Sequence, residues 1–249
     1  MSEENAPKPA APRERPVDPT YEGANKHPAL RPRDAATLIL VRRTGKVPEI
    51  LLGCRDAKHA FMPNRYVFPG GRVDRADAFV PVASPLRPHV DAKLQLAASA
   101  TRARALAVAA VRETFEETGL LLAKPLAGKP PAEVDKHWVG FLDRGLAPAL
   151  DLLDLVARAI TPPGRPRRFN ARFFIADAAH AQGEIKSNGE LGDIRWVGLD
   201  EARTLPLPTI TGLILGEVGR LLQEPRGESE QHMIPLFKTV NGKHLLLQE

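Results

Sequence analysis

The sequence is short of several things, and each shortage closes a class of explanation. A single cysteine, Cys54, stands among 249 residues, so no internal disulfide can form. Cys54 lies in an apolar run and reads as a packed core thiol rather than a nucleophile. No apolar stretch approaches the roughly 20 residues that span a bilayer. Met1 to Arg13 is polar and proline-rich and lacks the apolar segment of a secretory signal, so a cytoplasmic, membrane-free protein is expected. Aromatics make up 5% of the chain, and no tight Lys/Arg block interleaves with them. The net charge of +5 is spread along the chain, which argues against a dedicated nucleic-acid surface. That charge still suits a small anionic partner.

What is present is a pattern that begins late. Residues 1–33 are rich in Pro with Ala, Glu and Lys, too poor in apolar surface to offset ordering entropy, and predict a flexible tail. From residue 34 to 249 the chain reads as one domain. Strands are predicted at Ala36–Val41, Glu49–Cys54, Tyr66–Phe68, Leu120–Leu122, Arg172–Ala176 and Asp193–Val197. A long helix is predicted at Ala98–Thr118, free of internal Gly and Pro and stopped by Gly119. Further helices are predicted at Ala132–Leu142 and Ala149–Arg158, giving a helical segment over about 130–160, and at Thr209–Gln223. Thr161–Arg168 is a Pro/Arg-rich loop. Met233–Leu247 reads as a hairpin turning at Asn241-Gly242. Strands and helices do not alternate regularly, so an α+β class, an α/β/α sandwich with a mixed sheet, is expected over a doubly wound one.

The chemistry concentrates in Arg112-Glu113-Thr114-Phe115-Glu116-Glu117-Thr118-Gly119-Leu120. On a helix Glu116 and Glu117 lie at i+3 and i+4 from Glu113, so three carboxylates share one face. Their repulsion calls for an offset, and a hard divalent cation, Mg²⁺ or Mn²⁺, supplies one by taking carboxylate and phosphate oxygens. Arg112 can brace a carboxylate with a bidentate bond. Upstream, Phe68-Pro69-Gly70-Gly71 follows a strand. Its glycines let the backbone pass close to a ligand, and a Gly71 carbonyl can join a metal shell.

Together these segments resemble the box of the Nudix hydrolases, G-x5-E-x7-R-E-U-x-E-E-x-G-U with U apolar. Gly71 matches the opening glycine and Asp77 falls on the first acidic position. Arg112, Glu113, Glu116, Glu117, Gly119 and Leu120 match the second half. There are two departures. Asp replaces Glu, and the interval from Asp77 to Arg112 far exceeds seven residues. Residues 78–97 are therefore expected to loop out, at little closure cost, and to shape a substrate mouth. The run Leu51–Pro63, the segment Tyr66–Gly71 and the stretch Thr161–Ala176 are similar to the branch of long-insert peroxisomal coenzyme A diphosphatases. No peroxisomal address ends the chain.

The resemblance implies metal-dependent hydrolysis of a diphosphate bond in a nucleoside diphosphate linked to another moiety. Coenzyme A or acyl-coenzyme A is the first choice; ADP-ribose, NDP-sugars and dinucleotides are alternatives. A non-catalytic nucleotide-sensing module and a hydrolase of RNA 5′ ends are further readings, although a sensor can lose the carboxylates kept here. The implied metal ligands are Gly71, Glu113, Glu116 and Glu117. The implied catalytic residues are Glu113, Arg112 and Glu190, the last on a loop where the family places a carboxylate. Asp193 and Glu184 are weaker candidates for that position. Arg55, His59, Phe61 and Arg168 would meet the nucleotide or its phosphates, with Arg165 and Arg167 beside the last. Trp138 and Trp196 read as core. A monomer and a homodimer both remain open.

Overall fold

Helix formation is strongest where the sequence is richest in alanine, and the fold is assembled around that helix. The computed structural model describes residues 13–14, 30–45, 47–56, 62–129, 135–223, 233–240 and 243–249. In chain order the strands and helices are β1 (Arg13–Glu14), β2 (Arg33–Arg42), β3 (Glu49–Arg55), β4 (Tyr66–Val67), β5 (Gly70–Arg72), α1 (Pro88–Gln95), α2 (Ala100–Thr118) and β6 (Ala123–Pro125). They continue with α3 (Val139–Leu142), β7 (Leu146–Pro148), β8 (Asp154–Ile160), β9 (Phe169–Asp177), β10 (Leu191–Gly198), α4 (Leu199–Ala202), α5 (Thr209–Gln223), β11 (Pro235–Val240) and β12 (Lys243–Gln248). Helix α2 opens on Ser99, whose hydroxyl accepts from Arg102 N, and closes on Gly119 at φ 75°. Its alanines let it lie close against the sheet.

The main sheet runs β1-β12-β11-β8-β9-β2-β3-β10 and is mixed: β2 is parallel to β9 and β8 to β11, the rest antiparallel. Strand β2 is apolar without alternation because both of its faces are covered. Leu38 and Leu40 join the core under α2, while Ile39 and Val41 join the core under α5. The result is an α/β/α sandwich. Among the described residues no helix is long and apolar enough to cross a membrane.

A fork in the sheet positions the site. Strands β2 and β3 pair only at Val41–Ile50 and Arg42–Glu49. Beyond that point β5 takes the edge of β2 and β4 takes the edge of β3. The Pro69–Gly71 turn is thereby held in the opening, directly against the last turns of α2.

Four expectations need correction. Ala149–Arg158 is not a helix: a 3₁₀ turn at Leu150–Leu152 leads into β8, which sits between β9 and β11. Its Leu/Ala content suits a helix, but strand pairing on both edges overrides that preference. Among the described residues the helical segment over 130–160 therefore shrinks to α3 and the 3₁₀ turns at Lys136–Trp138 and Leu150–Leu152. Leu120–Leu122 is buried but not a strand; Leu121 makes one bridge to Gln182, and β6 starts at Ala123. Residues 78–97 are not an open loop, since α1 lies within them and Val80, Val90 and Leu94 are buried. Finally, Arg13–Glu14, inside the predicted tail, pairs with β12 as an edge strand. Asn241-Gly242 lies outside the described residues, while the flanking β11 and β12 pair antiparallel as a hairpin requires.

Candidate active site

The site grows from one buried cation. The Arg112 side chain is 2% exposed and sits on the face of α2 turned toward the fork. Its guanidinium donates through Nε and Nη2 to Asp77, at 2.8 and 3.0 Å. It also donates to Arg72 O at 2.9 Å, to Glu113 at 2.9 Å and to Glu116 at 3.1 Å. Asp77 is fully buried, and its carboxylate also accepts from Asp74 N at 2.8 Å. The residue at the first acidic position is therefore a brace for Arg112. Arg112 in turn fixes two of the three helical carboxylates.

Burial sets the electrostatics. Desolvation is the largest influence on Glu113; Arg112 opposes it, Glu116 reinforces it, and the carboxyl is pushed up to about 7. Glu117 is 3% exposed and is pushed up to about 8, again chiefly by burial, with Gly70 N–H pulling the other way. Gly70 N donates to Glu117 Oε2 at 2.8 Å. A Cβ at Gly71 would stand 2.5 Å from both carboxylate oxygens of Glu113, so glycine is required for this approach.

The donor set suits a hard cation. Among the described residues no three His, Cys, Asp or Glu side chains converge as a preformed cage. Glu113 and Glu116 are turned onto Arg112, and Glu117 onto a backbone N–H. Still, three carboxylates crowd one helix face, and two of them are raised by desolvation. Oxygen ligands carrying such an excess of negative charge match Mg²⁺ or Mn²⁺ in type. The residues fit the group.

The carboxylates form one wall of a cavity of about 510 Å³. Gly71, Arg55, Arg112, Glu113, Glu116, Glu117 and Glu190 all line it, so the structure gathers most of the predicted site residues. Arg55 is buried enough that desolvation lowers its pKa, while Glu117, Glu190 and Glu113 act to raise it. Glu190 is exposed at the rim, with its N–H bonded to Asn188 Oδ1. Away from the carboxylates the walls turn apolar, with Ile160, Phe169, Phe173, Ile210, Leu213 and Phe237.

Arg168 is a correction: it does not line the cavity. Its guanidinium donates to Thr161 O and Leu30 O, tying down the loop, and its neighbour Arg167 faces the cavity instead. Phe61 and His59 lie outside the described residues. Asp193, Glu184 and Arg165 do not line the cavity, and neither does any of residues 78–97, so the insertion does not shape its mouth. Trp138 is fully buried; Trp196 is half-buried under the Arg42 guanidinium. Sequence reasoning missed His137, whose Nδ1 lies 2.6 Å from Glu116 Oε1. It sits outside any motif, and only the packing of its turn on α2 reveals it.

A mixed sheet with helices on both faces and a carboxylate-bearing helix behind a glycine turn define a sandwich of the Nudix type. A solved Nudix hydrolase from Alicyclobacillus acidocaldarius superposes with a TM-score of 0.59 and 29% identity, covering 75% of this chain and 90% of that one. The Caenorhabditis elegans protein named "Putative nudix hydrolase 7" is 29% identical over 66% of this chain. The match spans about half, 51%, of that relative's length. No protein-family model matches the chain. In fold and in sequence the chain is thus similar to Nudix hydrolases.

Proposed function

We propose that the chain hydrolyses a diphosphate bond in a nucleoside diphosphate linked to a second moiety, with Mg²⁺ or Mn²⁺, and that coenzyme A or acyl-coenzyme A is its substrate. The observation that carries this reading is the set Glu113, Glu116 and Glu117 behind Gly70-Gly71, on the wall of a cavity of about 510 Å³ that also holds Arg55 and Arg167. That volume lies within the range of roughly 300–1,000 Å³ usual for small-molecule sites. The apolar walls suit a long, weakly polar arm beyond the phosphates.

Glu113, Glu116, Glu117 and the Gly71 carbonyl would hold the metal, whose charge neutralises the phosphates and lowers the pKa of a bound water. Arg112 keeps Glu113 and Glu116 in register. Arg55 and Arg167 would grip phosphate oxygens, Arg167 taking the role expected of Arg168. A carboxylate accepts the proton of the attacking water. Glu113, or Glu190 at the rim, is the acceptor.

The test is a panel of diphosphate substrates with Mg²⁺ or Mn²⁺, products resolved by chromatography. Coenzyme A is expected to yield 3′,5′-ADP and phosphopantetheine, and excess EDTA to abolish turnover. Dephospho-coenzyme A lacks a charge-assisted contact worth about 1.5–3 kcal/mol, so its kcat/KM is expected to fall about tenfold or more. Equal rates on the two, or faster hydrolysis of ADP-ribose, would remove coenzyme A as substrate. Full turnover in EDTA would remove the metal.

A further inference from the structure

His137 belongs to none of the segments that carry the family resemblance, yet it touches the carboxylate cluster. Its Nδ1 stands 2.6 Å from Glu116 Oε1, while Arg112 Nη1 donates to Glu116 Oε2 at 3.1 Å. An ionised carboxylate only accepts, so His137 Nδ1 donates. Each Glu116 oxygen thus spends one lone pair and keeps another for a ligand.

The imidazole is mounted rather than draped. The His137 N–H donates to Asp135 Oδ1 at 3.0 Å, fixing the 3₁₀ turn Lys136–Trp138. The next residue, Trp138, is fully buried and packs on Phe141 at 4.9 Å between ring centroids. Phe141 meets Phe115 edge-on at 4.8 Å, and Phe115 directly precedes Glu116 on α2. Gly140 allows this contact: a Cβ there would lie 3.3 Å from the Phe115 ring. The aromatic stack therefore ties the His137 turn to the same helical turn that carries Glu116.

Glu116 needs such support. Its side chain is 25% exposed, against 13% for Glu113, whereas Glu117 is fixed by burial and by Gly70. It is the carboxylate with the most rotamer freedom to lose on binding a cation. We propose that His137 is a positioning residue for the metal site: its bond to Oε1 limits the rotamers that Glu116 samples and thereby raises metal affinity. This rests on the reading of the three glutamates as metal ligands. Outer partners of metal ligands commonly contribute 10–100-fold in affinity.

The experiment is Mn²⁺ binding to the full chain, followed by electron paramagnetic resonance of free ion, for the wild type, His137→Phe and His137→Gln. The metal-free Tm of each is measured in EDTA. Phe keeps the bulk and loses the donor; Gln keeps an N–H donor. His137→Phe is expected to weaken Mn²⁺ binding about 10-fold or more with the metal-free Tm unchanged, and Gln to recover part of the loss. Unchanged or tighter binding in His137→Phe overturns the proposal while leaving the metal site intact. A lowered metal-free Tm with unchanged Mn²⁺ affinity makes His137 merely structural and also overturns it. If His137→Phe does not fold, full wild-type affinity in His137→Ala overturns it, and weakened affinity sustains it. Absence of Mn²⁺ binding by the wild type removes the metal reading itself, and this proposal with it.

Discussion

At the scale of single residues, the site is a negotiation between burial and charge. The spacing of Glu113, Glu116 and Glu117 made their common face legible, since helical geometry needs only the sequence. Their unequal depth was not legible, because it depends on which of them the Pro69–Gly71 turn covers. Glu117 lines the cavity yet is only 3% exposed. Glu117→Gln keeps an acceptor for Gly70 N–H and removes a charge that folding buries. It is expected to lose most activity, while its metal-free Tm near pH 8 equals or exceeds that of the wild type. A clear Tm drop would contradict this. Asp77→Asn acts oppositely. It strips the bidentate partner from Arg112 in a place where neither side chain is exposed by more than 2%. Urea unfolding is expected to show a loss of about 3 kcal/mol, the scale of a broken buried pair. Arg167 and Arg168 mark the limit of such reading: neighbours in an aperiodic loop offer no signal of which one faces a ligand.

Among the elements, the fork between β2 and β3 does most to make a site. Gly70 and Gly71 serve it differently. A Cβ at Gly70 would lie 2.5 Å from Ala36 O, a backbone atom of the central strand that cannot move aside. A Cβ at Gly71 would meet only the end of the Glu113 side chain, which can. Gly70→Ala is therefore expected to lower Tm markedly. Gly71→Ala is expected to fold near wild-type Tm but to lose Mn²⁺ affinity and activity. Thermal unfolding and Mn²⁺ titration of both variants check the contrast, and the reverse pattern would contradict it. Helix α2, β2, β3, β9 and α5 were legible because each has a strong period or a continuous apolar run bounded by caps. Strand β8 was not: buried on both faces, it shows no alternation, and its Leu and Ala residues are good helix formers. Its state was decided by the two edges waiting for it.

For the molecule as a whole, the buried carboxylates make stability depend on pH. Unfolded, a glutamate titrates near 4.5; folded, Glu113 reaches about 7 and Glu117 about 8. Across that window the folded protein binds more protons than the unfolded one, so metal-free stability falls as pH rises. The contribution is full below about 4.5 and gone above about 8. In EDTA, Tm is expected to decline from about pH 5 to about pH 8, and Mg²⁺ to restore more at the upper end. A Glu113→Gln/Glu117→Gln double variant should flatten the profile; an equal slope in it would assign the effect elsewhere. Among the described residues before Leu30, Arg13–Glu14 adds a two-residue edge pairing to β12. A chain starting at Leu30, which keeps the carbonyl that Arg168 binds, is expected to retain activity within about twofold, checked by the same substrate panel. What the sequence by itself determined is local and periodic: the long helix, the three carboxylates on its face, the glycine turn and the apolar strands, all readable because period and side-chain chemistry are written residue by residue. Only the tertiary structure decided how deep each carboxylate lies, that Asp77 braces Arg112, that residues 78–97 pack away from the cavity, and that His137 meets Glu116. These depend on contacts between segments far apart in the chain, where the winning partner is set by packing and desolvation rather than by spacing.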